Sequence, residues 1–423
     1  MTPPPDPAAG RGPAAGSPVP LACRAVPQAA PAPAAGGAAP LVVSVCRESG
    51  EFGRLAGEWG GLWRRCAGVT GFQGHGWLHS WWLAYGGRGD RLRVVLVRSA
   101  GVLVGAAPLM RTYRPGPVVV ALGGGITDYT DVLVAADGVA GTTPDAVARA
   151  LAEGIRAVAW GAVVDLREVR PGAAAFAVYD AWRGPKRRAA GSVCLELPGL
   201  PMAELIARVG SSRGQRIRAN LRKLDAAGVT VREAAAHEVP DAVAGLLRLH
   251  RAQWQGRGVT QEHLRPRFAA HLTRAATAMV ASGEAVVAEF HVGGRVVAAN
   301  LTVLSPALAG GYLYGADPAL RDTTVDVTTL LMRHGVQHAA GAGRPVLSLL
   351  RGAEPHKFHW RPEHVGNERL LLASRPLGPV LHARYALALA RRRLVRTAAA
   401  RLPALRAWRT RLHSLLACLR PRA

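Results

Sequence analysis

The chain has 423 residues, of which 53 are Lys or Arg and 28 are Asp or Glu, so its formal charge at pH 7 is +25. A hydrophobic content of 49% beside 19% charged residues excludes a wholly disordered chain and allows a sizeable core in two or three domains. Lysine occurs only at Lys186, Lys223 and Lys357. Because such an arginine surplus also arises from GC-rich coding sequence, the charge alone does not identify a nucleic-acid or membrane partner.

Cysteine usage and hydropathy bear on the compartment. The five cysteines are scattered and form no CxxC pair, so neither a disulfide framework nor a zinc site is expected. No segment offers the run of about 18 apolar residues that spans a bilayer. The N-terminus lacks the basic region and apolar stretch of a secretory signal. We therefore expect a cytoplasmic protein without a metal.

The two ends of the chain differ from its middle. Residues 1–40 hold 11 Pro, 13 Ala and 5 Gly and cannot bury enough surface to offset their ordering entropy, so a disordered tail is expected. Residues 374–423 contain 12 Arg and no acidic residue. Six apolar residues there recur at three- and four-residue steps: Leu402, Leu405, Trp408, Leu412, Leu415 and Leu419. This spacing predicts a basic amphipathic helical segment over 376–423, suited to peripheral contact with the inner membrane face.

The middle of the chain repeats one order of elements: helix, hairpin, strand, helix, strand. The first copy is predicted as a helix around Trp77–Tyr85, a hairpin over 91–110 turning at Ala100-Gly101, a strand over 131–135, a helix over 144–158 and a strand over 162–167. The second copy is predicted as helices over 240–255 and 265–282, a hairpin over 284–304 turning at Gly293-Gly294, a strand over 310–315, a helix over 325–340 and a strand over 345–350.

Two copies of one order of elements, so far apart in the chain, predict two domains of one fold rather than a solenoid. The alternation of helices and strands predicts an α/β class with mixed sheets. We expect a tail over 1–40, an N-terminal domain over 41–200, a C-terminal domain over 201–375 and the basic helical tail over 376–423.

The most distinctive motif is the stretch from Leu350 to Trp360, which follows the apolar run Val346–Leu350. Charged and aromatic side chains at the end of a buried strand occupy the usual place for ligands in an open α/β sheet. Lys357 stands out because the chain otherwise uses arginine. The alternative is a plain turn in which Arg351 pairs with Glu354 and Trp360 fills the core.

A second cluster runs from Ser211 to Leu224. Its apolar residues predict a helix capped by Ser211 or Ser212, with Arg213, Arg216 and Asn220 on one face. Arginines near a helix start suit phosphate or carboxylate recognition. A solvated charged face is the alternative.

A third region, from Tyr312 to Pro318, ends a strand and leads into the helix over 325–340. The start of a helix after a strand can hold an anion. Asp326 opposes this because a carboxylate in the first turn caps the helix and repels a phosphate, and the glycine-rich loop of a pyrophosphate site is missing.

In the first half, the glycine-rich loop over 123–131 joins two strands and carries two carboxylates, Asp128 and Asp131. They either orient a substrate amine or form turns. The aromatic face around Trp77 is expected in the core, with part of it lining a cleft between the domains. His79 and His334 are interpreted as isolated, structural residues.

An ordered set of short motifs extends over residues 45–373. It comprises Phe72-Gln73, Trp77 and Trp81-Trp82, Val104–Leu109, Asp128-Tyr129 and Asp131, Arg216–Lys223, Leu249-His250 with Trp254, Gly294–Asn300, Tyr314 with Asp317-Pro318, and Arg351-Gly352, Glu354, Lys357 and Trp360. This set resembles the CelD-type, cellulose-biosynthesis-like (BioF-like acetyltransferase domain) branch of the GNAT acetyltransferase superfamily, which is related to the Fem peptidyltransferases. The resemblance implies tandem GNAT-like domains that move an acyl group, usually from acetyl-CoA or another acyl-CoA, to an amine. The chain departs from that family at Thr323–Val327, where members carry a Pro-Gly-containing turn.

The resemblance implies direct attack of a neutral amine on a thioester, which needs positioned substrates, a proton acceptor and oxyanion stabilisation. Tyr314 is the expected donor to the leaving thiolate or the oxyanion, and Glu354 or Asp317 the expected proton acceptor. Lys357 and Arg351 are expected to bind anionic groups of a substrate. The other binding candidates are Arg213, Arg216, Asn220, Asn300 and Asp128.

Two other functional classes stay open. A Fem-like, aminoacyl-tRNA-dependent transferase would hold tRNA on the helix over 213–223 and on the C-terminal arginines, with steep salt dependence. A non-catalytic module would instead dock polysaccharide-assembly enzymes to a membrane through the C-terminal helix.

Overall fold

In the computed structural model, the described residues are 39–401 without 88, 114–115, 256–259 and 353. The predicted disordered tail and the apolar repeat over 402–419 therefore lie almost wholly outside the described residues. The described residues cluster as a single compact unit. Among the described residues, no helix has both the length and the apolar character needed to cross a membrane.

The N-terminal half contains β1 (Leu41–Cys46), α1 (Ser49–Arg54), α2 (Ala56–Arg64), α3 (His75–Tyr85), β2 (Arg91–Leu92), β3 (Val94–Ser99), β4 (Val102–Ala107), β5 (Leu109–Thr112), β6 (Val118–Ala121), β7 (Leu133–Val134), α4 (Pro144–Val158), β8 (Val163–Val169), α5 (Ala175–Ala181) and β9 (Lys186–Pro198). The C-terminal half contains α6 (Met202–Ala207), α7 (Ser211–Ala226), β10 (Thr230–Glu233), α8 (Val239–Trp254), α9 (Pro266–Ala281), β11 (Ala285–Val292), β12 (Arg295–Leu304), β13 (Leu308–Ala316), α10 (Val327–Ala339), β14 (Val346–Arg351), β15 (Glu363–Leu372) and α11 (Gly378–Arg401).

Both predicted hairpins are confirmed. The turns at Ala100-Gly101 and Gly293-Gly294 have positive φ at both residues, and such turns match the right-handed twist of the strands they join. The predicted long helices and the strands that follow them are present as α4, α8, α9, α10, β8 and β14. The predicted serine cap of α7 is wrong: the helix begins at Ser211, Gly210 is the N-cap, and no side chain caps it.

The repeated order of elements produces the same unit in each half. Strand β6 pairs in parallel with β8, and the chain between them includes α4. Strand β13 pairs in parallel with β14 across α10. These strand–helix–strand units confirm the predicted α/β class with mixed sheets, because every other ladder in the described chain is antiparallel.

The halves share one large sheet, with strand order β10-β11-β12-β13-β14-β9-β15-β8-β6-β5-β2, while β1, β3, β4 and β7 form a smaller sheet. Strand β9 lies at the end of the predicted N-terminal domain, yet it pairs with β14 and β15 of the C-terminal half. The domain boundaries stay a prediction. Helix α3 packs on α9, so one core with Trp59, Trp77 and Phe268 spans both halves.

The C-terminal basic segment begins as a helix packed on the large sheet. In α11, Leu381 is buried with Val163 and Leu371. The Arg392 guanidinium donates to the carbonyl oxygens of Ala190 (2.5 Å) and Gly191 (3.1 Å). Part of the predicted tail therefore belongs to the folded body.

Candidate active site

A cavity of about 960 Å³ lies where two parallel strands part. Strands β13 and β14 are in register only from Leu308 opposite Val346 to Gly310 opposite Ser348. The cavity is lined by residues 311–314 of β13, which follow the paired stretch, and by residues 347–352 of β14 and the position after it. Ligands of α/β proteins bind at such strand ends.

The cavity has walls from both halves of the chain. Leu331 and Met332 of α10 line it on the C-terminal side, and Trp81, Tyr85 and Asp128 line it on the N-terminal side. Trp81 and Tyr85 stack with their ring centroids 5.4 Å apart. The expectation that part of the aromatic face of α3 lines a cleft between the halves is therefore confirmed.

A β-bulge directs the side chain of Tyr312 toward the junction between the halves. Leu301 is opposite Leu313 and Thr302 is opposite Gly311, so Tyr312 is the extra residue, and a bulge of this kind redirects a side chain. The Tyr312 hydroxyl donates to the Ile126 carbonyl oxygen at 3.0 Å. Burial raises the pKa of Tyr312 far above its usual range, so its hydroxyl stays protonated.

Helix α8 supplies two polar groups at the end of β13. His250 Nδ1 donates to the Tyr314 carbonyl oxygen at 2.7 Å, and the Gln253 side chain accepts from the Ala316 amide at 3.1 Å. Gly315 permits this approach, because a Cβ there would lie 2.3 Å from the His250 backbone nitrogen. The strand end and α8 are therefore fixed against each other.

A pair of histidines lines the cavity beside Tyr314. Since His250 Nδ1 carries a hydrogen, its Nε2 accepts from His263 Nδ1 at 3.3 Å. Burial lowers the pKa of His250, and burial together with His250 lowers the pKa of His263 to about 4, so both rings are neutral at pH 7. The sequence gives no signal for His263, which lies in a short turn, and marks His250 only within the family motifs.

Glu354 and Lys357 form an ion pair at the cavity wall, with Lys357 Nζ 2.9 Å from Glu354 Oε2. Lys357 also donates to the Arg351 carbonyl oxygen at 2.9 Å. Gly352, at φ 115°, lies under the carboxylate, and a Cβ there would lie 2.5 Å from both Glu354 oxygens. Burial raises the pKa of Glu354, but the Lys357 hydrogen bond and charge outweigh it and lower the pKa overall, so this carboxylate is ionised and can accept a proton.

Arg351 joins the two halves through the loop that precedes β7. Its Nε pairs with Asp128 Oδ1, and its Nη2 donates to the Gly125 carbonyl oxygen at 2.8 Å. Burial raises the pKa of Asp128, while the Arg351 charge opposes this shift. The interpretation in which Arg351 pairs with Glu354 is wrong, because Arg351 pairs with Asp128 and Glu354 pairs with Lys357. Trp360 is buried as expected.

Six of the predicted site residues line the cavity: Tyr314, Glu354, Lys357, Arg351, Asn300 and Asp128. Asn300 is buried and its amide donates to Thr302 Oγ1 at 2.9 Å. The structure does not bring Asp317 to the cavity lining. Asp317 caps a short helical turn by accepting from the Ala319 amide at 2.9 Å, and it pairs with Arg295.

The predicted site residues of α7 lie outside the cavity lining. Arg213 and Arg216 are exposed to solvent. Asn220 donates to Thr329 Oγ1 at 3.4 Å on α10. Asp326 accepts from the Thr329 amide at 2.6 Å, which confirms that it caps α10, so a carboxylate occupies the start of this helix.

Asp131 and the buried cysteines Cys66 and Cys194 have surroundings that suit structural roles. Asp131 accepts from the amides of Val132, Ala174 and Ala175, so it orders the start of α5. Cys66 and Cys194 are buried free thiols, and burial raises the pKa of each to about 12. Neither thiol is therefore a thiolate nucleophile at neutral pH.

Residues 211–358 match the family model described as "Acetyltransferase (GNAT) domain". No curated protein matches the chain. FemX is a similar solved structure: 11% of residues are identical, the match covers 77% of this chain and 98% of FemX, and the TM-score is 0.57.

Two further solved structures also resemble this chain. One is the C-terminal domain (DUF2156) of a putative lysylphosphatidylglycerol synthetase from Agrobacterium fabrum, with 13% identity, 81% and 95% coverage and a TM-score of 0.50. The other is a conserved protein of unknown function from Bacteroides thetaiotaomicron, with 10% identity, 78% and 100% coverage and a TM-score of 0.50. At these identities the likeness shows the fold. The chain thus has a GNAT-like α/β fold, and residues 211–358 of its C-terminal half match a GNAT domain model.

Proposed function

We propose that the protein transfers an acyl group from an acyl thioester, such as acetyl-CoA or a longer acyl-CoA, to an amine bound in the cavity. The observation that carries this proposal is the parting of β13 and β14 beside Tyr314 and Glu354. An acyl chain can bind in the gap between the two strands. The Tyr314 hydroxyl and the ionised Glu354 carboxylate line the same cavity. A cavity of about 960 Å³ is within the size range of small-molecule sites.

In the proposed reaction, the amine nitrogen attacks the thioester carbon, a C–N bond forms and the C–S bond breaks. Glu354, ionised beside Lys357, takes the amine proton directly or through one water. Burial, reinforced by the nearby Glu354 charge, raises the pKa of Tyr314, and a hydrogen bond to Gln253 opposes the shift. The Tyr314 hydroxyl is therefore protonated and able to donate to the leaving thiolate.

The phosphates of the donor need a site other than the start of α10. Asp326 caps that helix, and a carboxylate there opposes phosphate binding. Lys357 lies at the cavity rim with 16% of its side chain exposed, and the exposed arginines of α7 precede α10 in the same half. These cations are the proposed contacts for an anionic donor. A phosphate site away from the start of α10 agrees with the absence of a Pro-Gly turn at Thr323–Val327.

A second candidate function is transfer of an aminoacyl group from tRNA. It rests on the exposed cationic face of α7, whose members are Arg213, Arg216, Arg218, Arg222 and Lys223. Within the described chain, the acidic residue of this helix, Asp225, pairs with Arg333 of α10. A polyanion suits such a surface better than a small acyl donor does.

Thermal shift of the full chain separates the two donors. The acyl-CoA proposal predicts stabilisation of the protein by acetyl-CoA or a longer acyl-CoA. The variants Tyr314→Phe and Glu354→Gln should still fold, but they should lose turnover. The tRNA proposal predicts stabilisation by aminoacyl-tRNA that weakens steeply with salt and in the double variant Arg213→Gln/Arg216→Gln. Stabilisation by neither donor contradicts both proposals and favours a non-catalytic, CelD-like binding module, for which liposome pelleting with and without residues 402–423 is the following test.

A further inference from the structure

A second cluster of ionisable side chains lies outside the cavity lining, where α10 meets the end of β10. His334 and His338 are one turn apart on α10, and Glu233 is the last residue of β10. Their ligand-capable atoms all lie within 4.8 Å of one another. The interpretation of His334 as an isolated histidine is therefore wrong.

The three atoms are spaced as ligands of one metal ion. Glu233 Oε1 lies 2.9 Å from His338 Nε2 and 3.4 Å from His334 Nε2, and the two Nε2 atoms are 3.1 Å apart. Nitrogen and oxygen ligands at about 2.0–2.1 Å from a tetrahedral zinc ion are separated by about 3.3 Å. The observed triangle has nearly these edges.

The surroundings direct these groups toward one another. The neighbouring cation, Arg232, is engaged by Glu238 and Glu289 at 2.6 Å each, so it does not neutralise Glu233. The His334 side chain is 1% exposed, and its Nδ1 has no hydrogen-bond partner among the described residues. Every polar contact of this buried ring is thus made by Nε2, the atom that faces the cluster.

We propose that Glu233, His334 and His338 bind a divalent transition-metal ion of the zinc class. Two imidazoles and one carboxylate form a donor set that suits Zn²⁺, and the 49% exposure of the Glu233 side chain leaves a solvent side for a water ligand. The ion ties the edge strand β10 to α10. Since α10 also supplies Leu331 and Met332 to the cavity, the metal fixes one cavity wall.

Metal titration of the metal-free full chain tests the site. After dialysis against a chelator, ZnCl2 is added in a calorimeter, and the melting temperature is followed in parallel. One equivalent should bind, the melting temperature should rise by on the order of a few degrees, and Co²⁺ should give the visible absorption of a tetrahedral complex. His338→Ala and Glu233→Gln should each weaken binding by at least about 10-fold.

The controls distinguish loss of the site from loss of the fold. Glu233 and His338 are partly exposed, so these variants are expected to fold, which circular dichroism checks. His364→Ala removes an exposed histidine on β15 and should leave zinc affinity unchanged. Absence of stoichiometric binding shows a hydrogen-bonded cluster only and overturns the proposal, as does binding that persists in Glu233→Gln/His338→Ala. Neither outcome depends on acyl transfer.

Discussion

Replacing Asp128 by Asn is expected to destabilise the protein by breaking the ion pair that joins its halves. Asp128 has an 11% exposed side chain and faces Arg351, whose side chain is 27% exposed. Removing one partner of a fully buried pair costs about 3–5 kcal/mol, because the other charge is left buried. Arg351 reaches water and keeps the Gly125 carbonyl as an acceptor, so we expect a smaller loss, about 2–3 kcal/mol.

The assay is a double-mutant cycle by urea unfolding with Asp128→Asn, Arg351→Met and both together. The coupling free energy should be about 1–3 kcal/mol. The exposed pair Arg188–Glu368, with side chains 48% and 27% exposed, is the matched control, and its coupling should not exceed about 1 kcal/mol. Equal coupling in the two cycles would refute the reasoning that burial of the Asp128 carboxylate makes this contact strong.

Gly315→Ala should lower the free energy of unfolding by at least about 2 kcal/mol, because its Cβ falls 2.3 Å from the His250 backbone nitrogen. The control is Gly311→Ala in the same strand, where the nearest neighbour of the added Cβ is 3.9 Å away; it should change the free energy of unfolding by about 1 kcal/mol or less. Similar losses in the two variants would contradict the close packing of Gly315 on α8. Acidification should destabilise the protein through His263: its pKa is about 4 when folded and about 6.5 when unfolded, so the unfolded chain binds more protons between these values. Stability should then fall by about 1–3 kcal/mol as the pH drops from 6.5 to 4, and urea melts of His263→Asn should lack this part of the slope; an unchanged slope would contradict it. If tRNA is the donor, Arg213→Gln/Arg216→Gln should reduce the slope of log affinity against log salt by about 1–2, measured by filter binding, whereas an unchanged slope would exclude contact of α7 with phosphates.

The elements that depend on local chemistry were predictable from the sequence. The turn at Gly293-Gly294 is predictable because its positive φ values are those that glycine adopts at no cost. The place of β9 was not predictable, since its partners β14 and β15 are about 150 to 190 residues away in the chain and its own residues carry no mark of that pairing. Long-range strand pairing is decided by the assembled core rather than by local pattern.

The candidate site was predictable where its residues follow strand ends. Tyr314 near the end of β13 and Glu354 after β14 meet because the two strands are parallel neighbours. Asp317 is only three residues beyond Tyr314, but it lies past the end of β13, where it caps the next turn. The sequence does not indicate His263, because nothing in its short turn distinguishes it. Only the packing of α8 brings His250 beside it.

Release of CoA thiol from acyl-CoA in the presence of a panel of amines tests the central claim most directly. The full chain should show amine-dependent thiol release, and Glu354→Gln, folded to the same degree by circular dichroism, should lower kcat/KM by at least about 100-fold because the proton acceptor is lost. Amine-dependent release at the same rate in Glu354→Gln, or no amine-dependent release by the unaltered chain, would contradict acyl transfer in this cavity.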